Sequence, residues 1–456
     1  MQQYWFESPL NFFHSSFIVS RAMGDKTIES VVKDGLCTSC GTCMGVCPND
    51  AIEMVIDNSK GVYFPQLYRE RCNECGICLD VCPGHAVDFK QLNLKIFGKE
   101  PEDTLLGNYL NCYIGHAVEH NIRYNSASGG LATALLIFAL EEGIINGALV
   151  SRANRDKPLE PQPFIARTRE DLLSAARSKY CPLPANMALK QIIAEEGKFA
   201  VVGLPCQIQG IRKAEEINKR LKDRIALHLG LFCGAPMTFD GTYFILQKYK
   251  ILKESITRLD YRGQGWPGCM TIQLKDGTKR LIPLSEYIIY HDLGFFTPLR
   301  CVLCCEQINE LADISLGDAW LPELEWDTIG TSAVICRNQV GNNFLSLAIG
   351  KEKIALRYID ENKVRKMESK KVSYPIKSRL SSLCGNKQPS YNILLPKAGS
   401  TPLFLLLYTS LFTFLLYPNL FLSSRKKLRW LIKPISVIEQ ILTKLGHEIV
   451  RLARIR

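Results

Sequence analysis

At 456 residues the chain exceeds the roughly 250–300 that one hydrophobic core usually serves, so two or more folded units are expected. Hydrophobic residues at 46% and charged residues at 22% exclude global disorder and collagen-like structure. The net charge of +11 sits largely at one end, where residues 425–456 hold nine Lys/Arg against Glu439 and Glu448. The rest is near balance, so a basic cleft and a nucleic-acid partner are not expected.

Residues 1–29 read as an N-terminal extension. The first 22 are aromatic and polar without a clear period, and Met23 is an equally good start. No secretory signal pattern occurs, which makes a reducing cytoplasm the default. Of eighteen cysteines, eight crowd between Cys37 and Cys82, a distribution unlike a disulfide framework.

Over residues 30–92, Cys37-x2-Cys40-x2-Cys43-x3-Cys47-Pro48 is repeated as Cys72-x2-Cys75-x2-Cys78-x3-Cys82-Pro83. This is the run of a two-cluster bacterial ferredoxin, a small α+β domain. Three thiolates on a tight loop face one cubane and the fourth points to the other. One 4Fe-4S cluster would take Cys37, Cys40, Cys43 and Cys82; the second would take Cys72, Cys75, Cys78 and Cys47. Gly41 and Gly76 let the backbone approach, and Pro48 and Pro83 end each short helix. Structural zinc, the alternative, explains neither the third cysteine nor the Cys-Pro. Ala51–Val55 and Val62–Phe64 flank a turn-forming Asp57–Gly61 and predict a hairpin.

After a polar stretch from Lys99 to Asn108, apolar strands alternate with helical patterns at Cys112–Val118, Leu131–Glu142, Gly147–Val150, Phe199–Val202 and Ile225–Phe232, which reads as an α/β core. Ser126–Gly130 opens a helix and suits either a phosphate or an ordinary N-cap. Cys206 and Cys233 each follow an apolar strand, at the edge where open α/β sheets bind ligands. With Cys301 and Cys304 they are candidates for a third 4Fe-4S cluster, the alternative being free core cysteines. Cys112, Cys181, Cys269, Cys336 and Cys384 read as core. Gly263-x-Gly265-x2-Gly268 matches a dinucleotide fingerprint but leads into a hairpin at Met270–Leu274 and Lys279–Leu284, so that reading fails. Arg177–Tyr180 offers a cation and a phenol for an anionic ligand.

Residues 398–424 carry no charge, and Leu403–Tyr417 is almost continuously apolar. With Pro418 near its end it barely reaches the length of a span. The positive-inside tendency favours a monotopic or re-entrant anchor, with the basic segment from Arg425 on anionic headgroups. The tail, 398–456, is thus expected to be helical and membrane-contacting, and the protein cytoplasmic, peripheral or monotopic at the inner face of the cell membrane. A buried helix is the alternative.

SASGG at 126–130, SKYCP at 178–182, VGLPCQIQG at 202–210, GLFCG at 230–234, YRGQGWPG at 261–268 and ADISLGDAW at 312–320 occur in order. Together they resemble the beta-subunit family of coenzyme F420 hydrogenase/dehydrogenase, over about residues 30–330. The resemblance implies an α/β core divided at 105–190 and 191–375. It implies FAD contacts at Ser128, Gly129, Gly130, Ser178, Lys179, Tyr180, Arg262, Gly263 and Gly265. The sequence departs from the family at Cys304-Cys305-Glu306, leaving Cys304 and Cys305 as rival ligands. Its bacterial members found with polysaccharide biosynthesis suggest a flavin and iron-sulfur oxidoreductase passing electrons to a small-molecule or lipid-linked cell-envelope acceptor, fed by ferredoxin or a redox partner subunit. The alternatives are a coenzyme F420-reducing subunit, and an electron-transfer adaptor without its own substrate.

Overall fold

The computed structural model describes residues 27–368, 370–383, 385–395, 418–432 and 434–436. The suggested start at Met23, most of the extension, Cys384 and the apolar run Leu403–Tyr417 lie outside the described residues.

The head is built around its cysteine loops. Gly41 (φ 82°) and Gly76 (φ 80°) hold left-handed conformations that open the short helices Thr42–Gly45 and Ile77–Asp80. Strands Ile52–Asp57 and Val62–Leu67 pair antiparallel as the expected hairpin, and Asp57 accepts the Ser59 amide (2.8 Å) across its tip. Ile28 and Val31, on either side of the start of helix Glu29–Lys33, pack with Leu36, Ile52 and the buried Cys43, Cys78 and Cys82. The head's apolar core therefore draws on residues at the edge of the extension.

The core carries an eight-stranded mixed sheet in the order Ile354–Tyr358, Asn111–Ala117, Ser332–Cys336, Ile314–Asp318, Ile225–Leu231, Phe199–Gly203, Gly147–Arg152 and Gln162–Ala166. The four strands from Ile314–Asp318 to Gly147–Arg152 run parallel, and antiparallel strands flank them. The parallel strands read as continuous apolar runs because both sheet faces are covered. Helix Leu131–Glu141 is buried on nearly all sides, in one cluster with Leu227, Leu229, Ile314 and Val334. On the other face helix Pro205–Glu215 packs Ile208, Ile211 and Ala214 against Val201 and Phe199. A separate sheet, Ile256–Asp260, Cys269–Leu274 and Lys279–Pro283, forms a second layer with helix Phe239–Lys248, and the predicted hairpin is its outer half.

Head and core interlock at backbone distance. A Cβ on Gly45 would lie 2.1 Å from the Asn186 carbonyl, and one on Gly210 would lie 2.2 Å from Thr42 Oγ1. Asn186 Nδ2 donates to Thr42 Oγ1 and to the Gln207 carbonyl, both at 2.8 Å. Arg300 Nε donates to the Leu36 carbonyl (3.0 Å) and Lys213 Nζ to that of Cys82 (2.9 Å).

The tail departs from expectation where it is described. Residues 418–424 are helical and lie against the second layer: Ser423 Oγ accepts the Phe296 amide (3.1 Å), and Ile432 is buried there. Arg429, expected on lipid headgroups, forms an ion pair with Asp240 (2.8 Å). A carboxylate within reach neutralises this cation on the protein itself. Among the described residues no helix is long and apolar enough to cross a membrane.

Candidate redox site

Three cysteine quartets line up from the head surface into the core. Cys37, Cys40, Cys43 and Cys82 form one group: burial pushes the Cys37 thiol up to about 12, and neighbouring Cys82 and Cys40 add to that. The Cys43 thiol is raised by burial and by Cys40, Cys37 and Cys82. Cys47, Cys72, Cys75 and Cys78 line a second, small cavity, and burial with the other three pushes Cys78 up to about 11. The halves repeat in detail, since Ser39 N donates to Cys37 Sγ and Glu74 N to Cys72 Sγ, both at 3.4 Å. Such amide contacts on sulfur tune a cluster's potential.

The third quartet stands at the carboxyl ends of adjacent parallel strands. Pro205 starts a helix directly after Phe199–Gly203, and Gln207 Oε1 closes its first turn by accepting the Leu204 amide (2.8 Å). This fixes Cys206 in that turn. Cys233 follows Ile225–Leu231, and Asn309 ties the two strand ends by donating to the carbonyls of Gly203 (2.8 Å) and Leu231 (3.2 Å). Cys206, Cys233, Cys301 and Cys304 line one cavity, and burial, then Cys40 and these partners, raises the Cys206 thiol. Cys40 belongs to the first quartet, so that group and the third are neighbours. Cys305 instead lies fully buried with Ile208 and Leu311 in the core, whereas Cys304 lines the cavity with the other three.

Thiols raised this far stay protonated unless a metal centre takes them as thiolates. Among the described residues no three His, Cys, Asp or Glu side chains close on a single ion. A cubane spreads its four thiolates more widely than one ion does, and the quartets suit that larger group. Lys370, whose position no sequence motif marks, is buried beside the third quartet. Burial would lower its ammonium, but Cys304, Cys233 and Cys301 outweigh that and hold it above its ordinary value.

The proposed flavin contacts converge on one patch, with two corrections. Arg262 is 1% exposed; its Nη1 donates to Asp318 (2.6 Å) and the Tyr180 hydroxyl (3.1 Å), while Nη2 has no partner among the described residues. Gly263 lies against the Arg177 side chain, and Gly265 N donates to the Tyr124 carbonyl (2.9 Å). Ser178 bonds the Tyr180 phenol, which burial pushes up against the opposing pull of Arg262. Trp266 and Trp320 contact at 4.4 Å between centroids. Lys179, however, turns away. Its Nζ donates to the carbonyls of Ala175, Ala176 and Arg177 at the end of helix Arg169–Ala175, and burial lowers it to about 7.

Gly129 also does not present its amide to a ligand, because that N–H donates to Ser332 Oγ (2.9 Å). Its lack of a side chain serves packing, since a Cβ would meet the Gly115 carbonyl at 2.5 Å. Ser128 Oγ donates to the Thr331 carbonyl (3.0 Å), and Gly130 (φ 78°) opens the helix over Arg123. The phosphate cradle read into Ser126–Gly130 is thus largely occupied by the chain's own bonds. Asp318 lay inside a motif without an assigned role, and only the fold brings it to Arg262.

Comparison with known proteins finds the same division into a cluster-binding head and a two-part core. Residues 112–190 match the coenzyme F420 hydrogenase/dehydrogenase beta subunit N-terminal model, residues 196–362 the C-terminal model, and residues 36–87 a 4Fe-4S dicluster domain. The coenzyme F420 hydrogenase subunit beta of Methanosarcina barkeri is 30% identical over 287 residues, covering 59% of this chain and 91% of the relative. That of Methanothermobacter thermautotrophicus is 32% identical over 253 residues, 54% of this chain and 83% of the relative. The coenzyme F420-dependent sulfite reductase of Methanocaldococcus jannaschii is 28% identical and covers 77% of this chain and 52% of the relative. A chain from the F420-reducing [NiFe] hydrogenase complex of Methanosarcina barkeri superposes with TM-score 0.51 at 28% identity, covering 64% of this chain and 98% of that one. The chain belongs to the coenzyme F420 hydrogenase/dehydrogenase beta-subunit family.

Proposed function

We propose that this chain moves electrons between 4Fe-4S clusters and a deazaflavin of the coenzyme F420 type, through FAD, as the redox subunit of a larger oxidoreductase. The observation that carries the reading is the succession of three cysteine quartets from the head to the carboxyl ends of the parallel strands, the edge at which Asp318 ends its own strand and holds Arg262. The relatives' names, a hydrogenase subunit and an F420-dependent sulfite reductase, favour the deazaflavin over the cell-envelope acceptor expected from sequence, which has no support of its own. Bound there, clusters would carry single electrons and a flavin would convert them into pairs.

The chain's own contribution is positional. Asp318, Tyr180 and the Pro267 carbonyl fix the Arg262 guanidinium through Nη1 and Nε, leaving the two N–H of Nη2 as donors to a carbonyl or anionic edge of a bound ring. Trp266 and Trp320 supply aromatic surface, and Asn186 with Gly45 and Gly210 hold the head close to the third quartet. Anaerobic isolation should yield about twelve irons and sulfides and one FAD per chain, four irons being the complement of each quartet. Eight irons would remove the third cluster, and loss of flavin would turn the reading to an electron-transfer adaptor. Photoreduced protein should then bleach added coenzyme F420; a protein that holds all cofactors and leaves it oxidised is not an F420 enzyme.

A further inference from the structure

Several buried cations of the core face a carboxylate: Arg212 meets Asp313 and Glu215, Lys371 meets Glu310, and Arg262 meets Asp318. Arg300 departs from that pattern. It is 4% exposed, and its polar partners are two carbonyls and a phenol: Nε donates to the Leu36 carbonyl (3.0 Å), and Nη2 donates to the Pro83 carbonyl (3.5 Å) and to the Tyr391 hydroxyl. Neutral acceptors satisfy the N–H groups but leave the positive charge without a partner, which is costly away from water. Those acceptors lie beside cluster ligands. Leu36 precedes Cys37, Pro83 follows Cys82, and Arg300 itself precedes Cys301 in helix Leu299–Val302. One guanidinium thus ties together ligand-bearing segments of the first and third quartets. Burial opposes its charge, but Tyr391, then Cys304 and Cys301, outweigh that. On the head side, Arg300 works against the rise of the Cys37 thiol.

We propose that Arg300 is a positioning residue for electron transfer, a fixed positive charge shared by the first and third clusters that raises the potentials of both. The proposal rests on the cluster reading above. A cubane on four thiolates is a net anion and gains one more negative charge on reduction. A cation beside two such groups favours that gain at each, and offsets the repulsion that one reduced cluster exerts on its neighbour. Among the described residues the outer quartet has no such buried cation. Cys78 is raised by burial and by Cys75, Cys47 and Cys72, and the nearby Arg69 and Arg71 are exposed. An electron delivered there by reduced ferredoxin or another low-potential protein donor is therefore drawn inward. The outer cluster loses one electron, an inner cluster gains it, and no bond or proton is exchanged. A guanidinium keeps its charge at every pH the protein meets, so this bias is permanent.

The test is an EPR-monitored redox titration of the anaerobic full-length chain, with its iron counted first. Loss of a signal in Cys304→Ser assigns the third cluster, and loss in Cys75→Ser assigns the outer one. In the unaltered protein the first and third clusters should be reduced at higher potential than the outer cluster. Arg300→Gln should lower each of the two inner midpoints by about 59 mV, a tenfold change in a one-electron equilibrium, and leave the outer midpoint in place. Arg300→Met, an apolar replacement of similar length, should give the same two shifts. Arg300→Lys keeps the charge and loses the fork, and should restore both midpoints, which a purely structural clamp would not allow. The order of potentials in the unaltered protein tests the proposal even where a neutral variant loses iron. An outer cluster reduced first, a shift confined to one inner cluster, equal shifts of all three, or unchanged midpoints in a neutral variant that keeps about twelve irons overturns the proposal. An iron count of about eight in the unaltered protein overturns the cluster reading beneath it.

Discussion

Cys304 and Cys305 are adjacent in sequence and opposite in environment. The first lines the cavity with Cys206, Cys233 and Cys301, and the second is enclosed by core side chains. Cys304→Ser should lower the iron count from about twelve to about eight, whereas Cys305→Ser should leave it unchanged; an iron assay on anaerobic protein decides between them. Lys370 places a buried cation against the same thiolates. Replacing it by Met should lower the third cluster's midpoint potential by roughly 60 mV, about a tenfold change in a one-electron equilibrium, because the reduced state carries more negative charge. Lys370→Arg should retain most of the wild-type value in an EPR-monitored titration. The two ferredoxin-type runs were legible because cluster chemistry demands a fixed spacing, whereas Cys206 and Cys233 could be singled out only as residues past the ends of apolar strands. Lys370 was not, since Lys370-Lys371 reads as an ordinary solvated pair until helix Lys370–Leu383 covers the site. Lys179 was misread for a related reason: its charge was visible in the sequence, but the helix carbonyls that accept from it were not.

Elements followed their apolar pattern closely where burial is two-sided, as in Phe199–Gly203 and Ile225–Leu231. What the pattern could not supply was order across the sheet, because antiparallel edges such as Ile354–Tyr358 pair with strands more than 200 residues away. Small residues set how closely elements dock. Gly45→Ala would push a methyl into the Asn186 carbonyl, and overpacking of this kind costs about 1–3 kcal/mol. Hydrogen exchange should quicken on both sides of that junction, around residues 40–45 and 184–188, and unchanged protection would show the contact to be dispensable. Inside the core, His228 Nδ1 meets Asp313 (3.0 Å), His228 Nε2 meets Glu215 (2.7 Å), and Arg212 pairs with both acids. Burial and Arg212 would lower His228, but Glu215 and Asp313 outweigh them and hold it above its ordinary value. Its contribution to stability is therefore full below the ordinary histidine range and is lost as pH rises through the raised value. Both acids are held below their ordinary values despite burial, Asp313 by Arg212 and His228 and Glu215 by His228 and Arg212, so their contribution is lost as pH falls. His228→Gln should cost about 3–5 kcal/mol in mildly acidic buffer, with the deficit shrinking toward alkaline pH in thermal denaturation series.

At the scale of the whole molecule the three quartets differ in their access to solvent. Cys75 is exposed and Cys72 half-buried, whereas Cys40, Cys43 and Cys82 are buried between head and core. The outer quartet is thus the side from which a protein donor can approach, and the inner group stands between it and Cys206. On the proposed cluster reading, large partners would deliver electrons at the outer quartet, and the third would be reached through the inner group. Cys75→Ser removes an outer ligand at an exposed position, where a lost side chain disturbs little packing. Reduction of the remaining clusters by reduced ferredoxin should then slow by about tenfold or more, because the electron loses its first stop on the way in. Reduction by dithionite, small enough to reach the inner sites, should persist. If ferredoxin still reduces the variant at the wild-type rate, the partner docks elsewhere, and the head is not the electron entry.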